Sequence, residues 1–203
     1  MKYRKERKIR GLSTNRILIL CEGKTEKVYL EGLRRSFPRQ LQRDISLEIT
    51  QAEHSEPVTA IKELKAKIKK AKSEKQPFSE AWLIFDDDNR NLNAVFQELE
   101  NKGINYVYNS IAIEFWFLLH YKDNARQFKN ANAVIKELEK DFGAFSKTDP
   151  ELWDKLKANY RTAKKRALKL RNTHNTEGNK LPNCRPYSNM DVLVEHIKSL
   201  NNK

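Results

Sequence analysis

Long apolar runs and paired cysteines are both missing from this sequence. No apolar run approaches the roughly 20 residues that a membrane-spanning helix needs. The two cysteines, Cys21 and Cys184, stand too far apart to resemble a zinc-type pair and give no sign of a disulfide framework. The basic N-terminal segment is not followed by the apolar stretch and cleavage site of a signal peptide. These absences predict a cytoplasmic protein that does not associate with membranes.

Positive charge is abundant but unevenly distributed along the chain, whose formal net charge is +13. Residues 1–16 carry seven Lys or Arg against one acid, and residues 122–203 carry eighteen against ten. Residues 17–121 are nearly neutral, with fifteen against sixteen. Basic flanks favour contact with a polyanion such as nucleic acid, although basic segments that only aid solubility are the alternative.

Short apolar runs alternate with amphipathic helical patterns in the first part of the chain. The runs typical of buried strands cover residues 16–21, 46–52, 81–85 and 104–108. Helical patterns begin near Thr25, Pro57, Leu92 and Ile113. Strands that alternate with helices at this spacing predict an α/β protein with a parallel four-stranded sheet flanked by helices.

After residue 122 the pattern is helical only. Helices are predicted over 131–142, over 149–171 and after a cap at Ser188 or Asn189, with a polar loop over 172–186. We therefore divide the chain into a basic N-terminal arm (1–15), a core (16–121) and a basic helical C-terminal region (122–203).

The predicted helix over 149–171 has one apolar face, and its other faces are rich in Lys and Arg. Such a surface can hold a nucleic-acid backbone but carries no information on base sequence. The candidate contact residues are Lys157, Arg161, Lys164, Lys165, Arg166 and Lys169.

Acidic residues follow two of the predicted strands. Glu22 follows the first strand, with Glu26 one turn into the next helix, and Asp86, Asp87 and Asp88 follow the third. In open parallel sheets, ligands bind at the carboxyl ends of the strands, so neighbouring strands would bring these groups together. Backbone alternation directs the first and third of the three aspartates to one side and the second away.

Carboxylates this close repel one another unless a cation or a raised pKa relieves the repulsion. A set of oxygen ligands without His or Cys is typical of Mg²⁺ or Mn²⁺ sites. The alternative is a solvated acidic turn at the end of a strand.

Two further residues are candidates with equally ordinary alternatives. Glu114 stands in an apolar stretch and is either a further ligand or general base, or a glutamate stabilised by the first turn of a helix. Lys24 lies between two site acids and is either a cation for the transition state or an ordinary turn lysine. His120 is better explained as a core or capping histidine than as a proton carrier.

Four motifs carry a resemblance to a known family. They are ILILCEGKTE at 17–26, FDDDN at 85–89, EFWFLLH at 114–120 and PYSNM at 186–190. Their combination resembles the RloB-like family, which is similar to the Toprim fold of topoisomerases, primases and overcoming-lysogenization-defect nucleases. The matches extend from about residue 13 to residue 200.

The resemblance implies a Toprim-like core in which Glu22 is the characteristic glutamate and Asp86 and Asp88 are metal ligands. It makes Glu26 a ligand of a second site and places Glu114 at the family's acidic position, although the preceding residues depart from the Asn-Pro expected there.

The function implied is a Mg²⁺- or Mn²⁺-dependent nuclease that acts in antiphage defence together with an ATPase partner. Such a protein could also form an oligomer. The alternative is a non-catalytic module that binds nucleic acid or an ATPase and keeps the metal site for structure or sensing.

Overall fold

The computed structural model describes residues 15–88 and 90–200, without the side chains of residues 43 and 44. The predicted basic arm over 1–15 therefore lies almost wholly outside the described residues. The strands are β1 (Asn15–Cys21), β2 (Ile45–Gln51), β3 (Glu80–Asp86), β4 (Asn105–Ser110) and β5 (Tyr187–Ser188). The helices are α1 (Lys24–Ser36), α2 (Arg39–Asp44), α3 (Pro57–Ser73), α4 (Asn93–Lys102), α5 (Ile113–Leu118), α6 (Ala131–Phe142), α7 (Leu152–Leu156), α8 (Tyr160–Thr176) and α9 (Met190–Ser199).

The strands form one mixed sheet in the order β2-β1-β3-β4-β5. The four predicted strands are confirmed, and they pair with one another in parallel. A fifth strand, β5, adds antiparallel to β4 through Ser188 and Tyr187. It was missed because two residues are too few to show strand periodicity.

Both faces of the sheet are covered, which explains why β1 is a continuous apolar run. Ile17 and Ile19 belong to a core that also contains side chains of α1 and of α5 to α9. Leu18 and Leu20 point to the other face and belong to a second core with residues of α3 and α4. This alternation follows from the period of two along a strand.

The C-terminal helices share the first of these cores instead of forming one of their own. Their predicted apolar row is buried: Leu152, Leu156, Tyr160, Ala163, Ala167 and Leu170. The predicted single helix over 149–171 is wrong in its bounds. A 3-10 turn at Lys157–Asn159 separates α7 from α8, and α8 continues to Thr176, inside the predicted loop.

Helix α1 packs closely against α7 at Gly32. A Cβ added at that position would lie only 2.6 Å from the Cβ of Trp153, so a larger residue would not fit without a shift. Within the described ranges, no helix is both long enough and apolar enough to cross a membrane.

A candidate carboxylate centre

The ends of β1 and β3 lie side by side in the sheet, as is needed for the acids that follow them to meet. Cys21 pairs with Ile84, and the Glu22 amide donates to the Ile84 carbonyl oxygen at 3.0 Å. The chain then opens into a pocket of about 440 Å³, which we call the carboxylate pocket. It is lined by five acidic side chains and two lysines: Glu22, Glu26, Asp86, Asp88, Glu114, Lys24 and Lys147.

Glu22 is buried at the end of β1 and is held by two donors. Its Oε2 accepts from the Asp86 amide at 3.0 Å, and both carboxylate oxygens accept from Nη2 of Arg90, at 2.8 Å and 3.1 Å. Burial raises the pKa of Glu22, and these two donors oppose that rise. Arg90 was not a predicted site residue, because a lone arginine after an acidic turn has no characteristic pattern.

Glu26 lies in the first turn of α1 and is buried, and its Oε2 has no hydrogen-bond partner among the described residues. Burial and then the negative charges of Glu114 and Glu22 raise its pKa to about 7. Gly23 leaves the space this carboxylate occupies, since a Cβ there would lie 2.8 Å from Glu26 Oε2. A buried acceptor without a partner is costly, and a bound cation would satisfy it.

Asp86 is the last residue of β3 and lines the pocket. Its side chain is partly buried. Oδ1 accepts from Nδ2 of Asn109 and Oδ2 from the Ile113 amide, both at 3.2 Å. Burial, followed by the charges of Glu26, Glu114 and Glu22, raises the pKa of Asp86 well above its usual range. The carboxylates that line this pocket therefore repel one another through a medium that screens them poorly.

The other two aspartates of the turn point in different directions. Asp88 lies in the left-handed backbone region at φ 45°, and its side chain is 55% exposed at the pocket rim. Asp87 is fully buried on the opposite side, as the alternation predicted. Its Oδ2 accepts from Tyr108 at 3.0 Å and from Ser110 at 3.1 Å. Arg185 closes the cluster, with Nε at 2.6 Å from Oδ2 and Nη2 at 2.7 Å from Oδ1.

Glu114 is buried in the first turn of α5, as one of the two alternatives predicts, and it also lines the carboxylate pocket. Its role as a ligand or general base stays a prediction. Its Oε1 lies 3.2 Å from Nζ of Lys147, a partner missed because it arrives from the connection between α6 and α7. Lys24 is exposed at the pocket rim and has no ion pair within the described part of the chain. His120 is a core residue outside the pocket, with Nδ1 at 3.0 Å from the Trp116 carbonyl oxygen.

The predicted basic surface of α7 and α8 is largely paired within the molecule. Lys157 contacts Asp154, Lys164 contacts Glu195 and Lys169 contacts Asp123. Arg166 donates to the Leu119 carbonyl oxygen at 2.8 Å.

Of the six candidates, Arg161 and Lys165 are exposed and have no ion pair to any described residue. They are the two most available to an external phosphate.

The carboxylate pocket has the type of ligand atom that a divalent cation prefers, but its side chains are not positioned to bind one as they stand. All its acidic donors are hard oxygens, and Glu26 Oε2 lacks a partner. As they stand, however, no three His, Cys, Asp or Glu side chains of the described residues converge closely enough to hold a metal ion. A cation would therefore have to draw the carboxylates together by side-chain rotation.

The raised pKa of Glu26 predicts that the protein in EDTA becomes less stable as pH rises. A carboxyl group whose pKa is higher in the folded state than in the unfolded chain stabilises the fold fully below its unfolded value of 4.5. That contribution is lost as pH rises through about 7. We expect the melting temperature of the wild type to fall between pH 5 and pH 8 by more than that of Glu26→Gln. If the melting temperatures of the two proteins changed equally with pH, Glu26 would not be the cause of the pH dependence.

Comparison with known proteins identifies one family. The family model for RloB-like protein matches residues 17–197, which contain most of β1, all of β2 to β5 and every residue of the carboxylate pocket. No curated protein and no solved structure matches the chain. The matched range covers most of the 203 residues. The chain therefore belongs to the RloB-like family.

Proposed function

We propose that this protein is a metal-dependent nuclease that hydrolyses phosphodiester bonds in DNA or RNA. The observation that carries the proposal is the meeting of Glu22, Glu26, Asp86 and Glu114 at one pocket, with Glu26 Oε2 buried and unpartnered. Repelling carboxylates that raise one another's pKa are a common feature of functional sites. The position of the pocket, at the carboxyl ends of parallel strands, is where ligands bind in α/β sheets.

In the proposed reaction, Glu22, Asp86 and Asp88 would hold one divalent cation, and Glu26 with Glu114 would hold a second. Bound divalent cations polarise a phosphoryl oxygen and lower the pKa of a bound water.

Two lysines at the pocket rim complete the proposed site. Lys24 has no ion pair to any described residue, and Lys147 reaches the pocket with Nζ 3.2 Å from Glu114 Oε1. Both can exchange into contact with a substrate phosphate, where their charge offsets the negative charge that develops in the transition state.

We further propose that the protein is an antiphage defence effector of the Toprim type that works with an ATPase partner. This part of the proposal is supported by the resemblance of the EGKTE and DDDN motifs to Toprim proteins, and by membership of the RloB-like family.

The test is a substrate screen with purified protein. Labelled tRNA, single-stranded RNA, linear DNA and supercoiled DNA are each incubated with Mg²⁺, Mn²⁺ or EDTA. We expect cleavage of one substrate class with Mg²⁺ or Mn²⁺ and none in EDTA. Binding of nucleic acid without cleavage under every condition would instead support the non-catalytic module, and cleavage that continues in EDTA would contradict a metal-dependent site.

Nucleic-acid affinity should depend on the unpaired cations of α8 more than on the paired ones. We expect the double variant Arg161→Ala/Lys165→Ala to weaken binding and to reduce the salt dependence of the binding constant by about two phosphate contacts. The matched control is Lys164→Ala/Lys169→Ala, whose side chains are held by Glu195 and Asp123. Fluorescence anisotropy across a salt series measures both slopes. If the binding constants of the double variant and the wild type depended equally on salt concentration, α8 would not contact the nucleic acid.

A further inference from the structure

Arg90 places a fixed positive charge against the carboxylate pocket. Its Nη2 lies 2.8 Å and 3.1 Å from the two oxygens of Glu22 and 2.7 Å from the Asp86 carbonyl oxygen. Its Nη1 donates to the Ser55 carbonyl oxygen at 2.8 Å. A single guanidinium thus joins the segments that follow β1 and β2 to the last residue of β3.

These contacts use up most of the acceptor capacity of Glu22. A carboxylate oxygen accepts about two hydrogen bonds. Oε2 already accepts two, from the Asp86 amide at 3.0 Å and from Arg90 at 3.1 Å. Among the described residues, Oε1 accepts from Arg90 alone, at 2.8 Å, and keeps one position for a further contact. Glu22 can therefore offer an incoming cation Oε1 but not Oε2.

Arg90 does not depend on Glu22 for its place. The carbonyl oxygens of Ser55 and Asp86 hold the guanidinium, and the Arg90 amide donates to the Asp87 carbonyl oxygen at 2.9 Å. Its side chain is 27% exposed, so water screens it only in part. When Glu22 contacts a cation through Oε1, the arginine charge remains beside it.

We infer that Arg90 lowers the affinity of the carboxylate pocket for divalent cations and restricts Glu22 to one donor oxygen, Oε1. The inference rests on the proposed function in one respect, since it takes the pocket to be the cation site. The physical cause is Coulomb repulsion between the guanidinium and a divalent ion held by the same carboxylate. A residue that only stabilised the fold would have the opposite effect, because its loss would disorder the ligands and weaken cation binding.

The test is Mn²⁺ affinity, measured by isothermal titration calorimetry on the full chain. Arg90→Gln removes the charge and keeps an amide donor for the neighbouring carbonyl oxygens. We expect it to bind Mn²⁺ at least about tenfold more tightly than the wild type. Arg90→Lys keeps the charge and is the matched control, with an expected affinity close to that of the wild type. Thermal melting in EDTA checks that both variants are folded.

The outcomes separate this inference from the proposed function. Unchanged or weaker Mn²⁺ binding by folded Arg90→Gln, in a protein that cleaves nucleic acid, would overturn the role of Arg90 alone. Tighter binding in a protein that cleaves nothing would support Arg90 and count against the nuclease. Failure of both proteins to bind Mn²⁺ would overturn both.

A second measurement needs no variant and covers the case in which Arg90→Gln does not fold. In wild-type crystals soaked in MnCl₂, anomalous scattering locates the cation directly. We expect Glu22 to contact it through Oε1 alone, with Arg90 still on the Ser55 carbonyl oxygen. Coordination by both oxygens of Glu22, or a displaced Arg90, would overturn the inference.

Discussion

Asp86→Asn is expected to lower nucleic-acid cleavage by at least about a thousandfold, a loss of about 4 kcal/mol of transition-state stabilisation. Asp86 lies among other carboxylates of the pocket, since the charges of Glu26, Glu114 and Glu22 all raise its pKa. Asparagine has nearly the same shape but brings no negative charge to a cation. Initial rates of cleavage at saturating Mn²⁺, on the substrate identified by the screen, measure the effect.

The same substitution should leave the fold intact. It removes a repelled charge, which offsets the loss of one of the two 3.2 Å hydrogen bonds from Asn109 and Ile113. We therefore expect the melting temperature in EDTA to be maintained. Asp154→Asn is the control for loss of one acid, because that side chain is exposed and paired with Lys157 on the surface. Cleavage by Asp86→Asn at a rate near that of the wild type would show that Asp86 does not take part in catalysis.

Arg185→Met is expected to lower the free energy of unfolding by about 3 to 5 kcal/mol. The substitution leaves the Asp87 carboxylate fully buried without its cation. Tyr108 and Ser110 still donate to it, but neutral hydroxyls compensate a buried charge less well than a guanidinium does. Urea denaturation followed by circular dichroism measures the loss.

Two controls identify the buried charge as the cause of that loss. Adding Asp87→Asn to Arg185→Met removes the stranded charge and should recover part of the stability. Lys157→Met breaks an ion pair whose side chains are 53% and 51% exposed, and should cost less than about 0.5 kcal/mol. Similar losses for the buried and the exposed pair would show that Asp87 does not depend on Arg185.

The ends of β1 and β3 could be predicted because buried parallel strands are continuous apolar runs, and the acids begin where those runs stop. Glu22 and Asp86 followed from that, and the direction of Asp87, away from the carboxylate pocket, followed from strand alternation. The prediction that these acids hold Mg²⁺ or Mn²⁺ and carry catalysis stays a prediction, as do the division of the chain at residue 121 and the basic contact surface.

The partners of the acids could not be predicted, because they come from irregular segments. Arg90 stands in a turn, Lys147 in the connection between α6 and α7, and Arg185 just before a strand of two residues. None of these positions has a period or a spacing that marks it. The break between α7 and α8 was equally hidden, since neither Pro nor Gly occurs at Lys157–Asn159.

The pairing of Asp87 with Arg185 also has a consequence for how the chain matures on the ribosome. The two residues are 98 positions apart, so strands β1 to β4 and the acidic turn are synthesised well before the arginine that anchors that turn. Until Arg185 is synthesised, the nascent chain carries the Asp87 charge without that guanidinium. For a protein proposed to cut nucleic acid, we expect this order to delay completion of the acidic turn beside the carboxylate pocket while the chain is still attached to the ribosome.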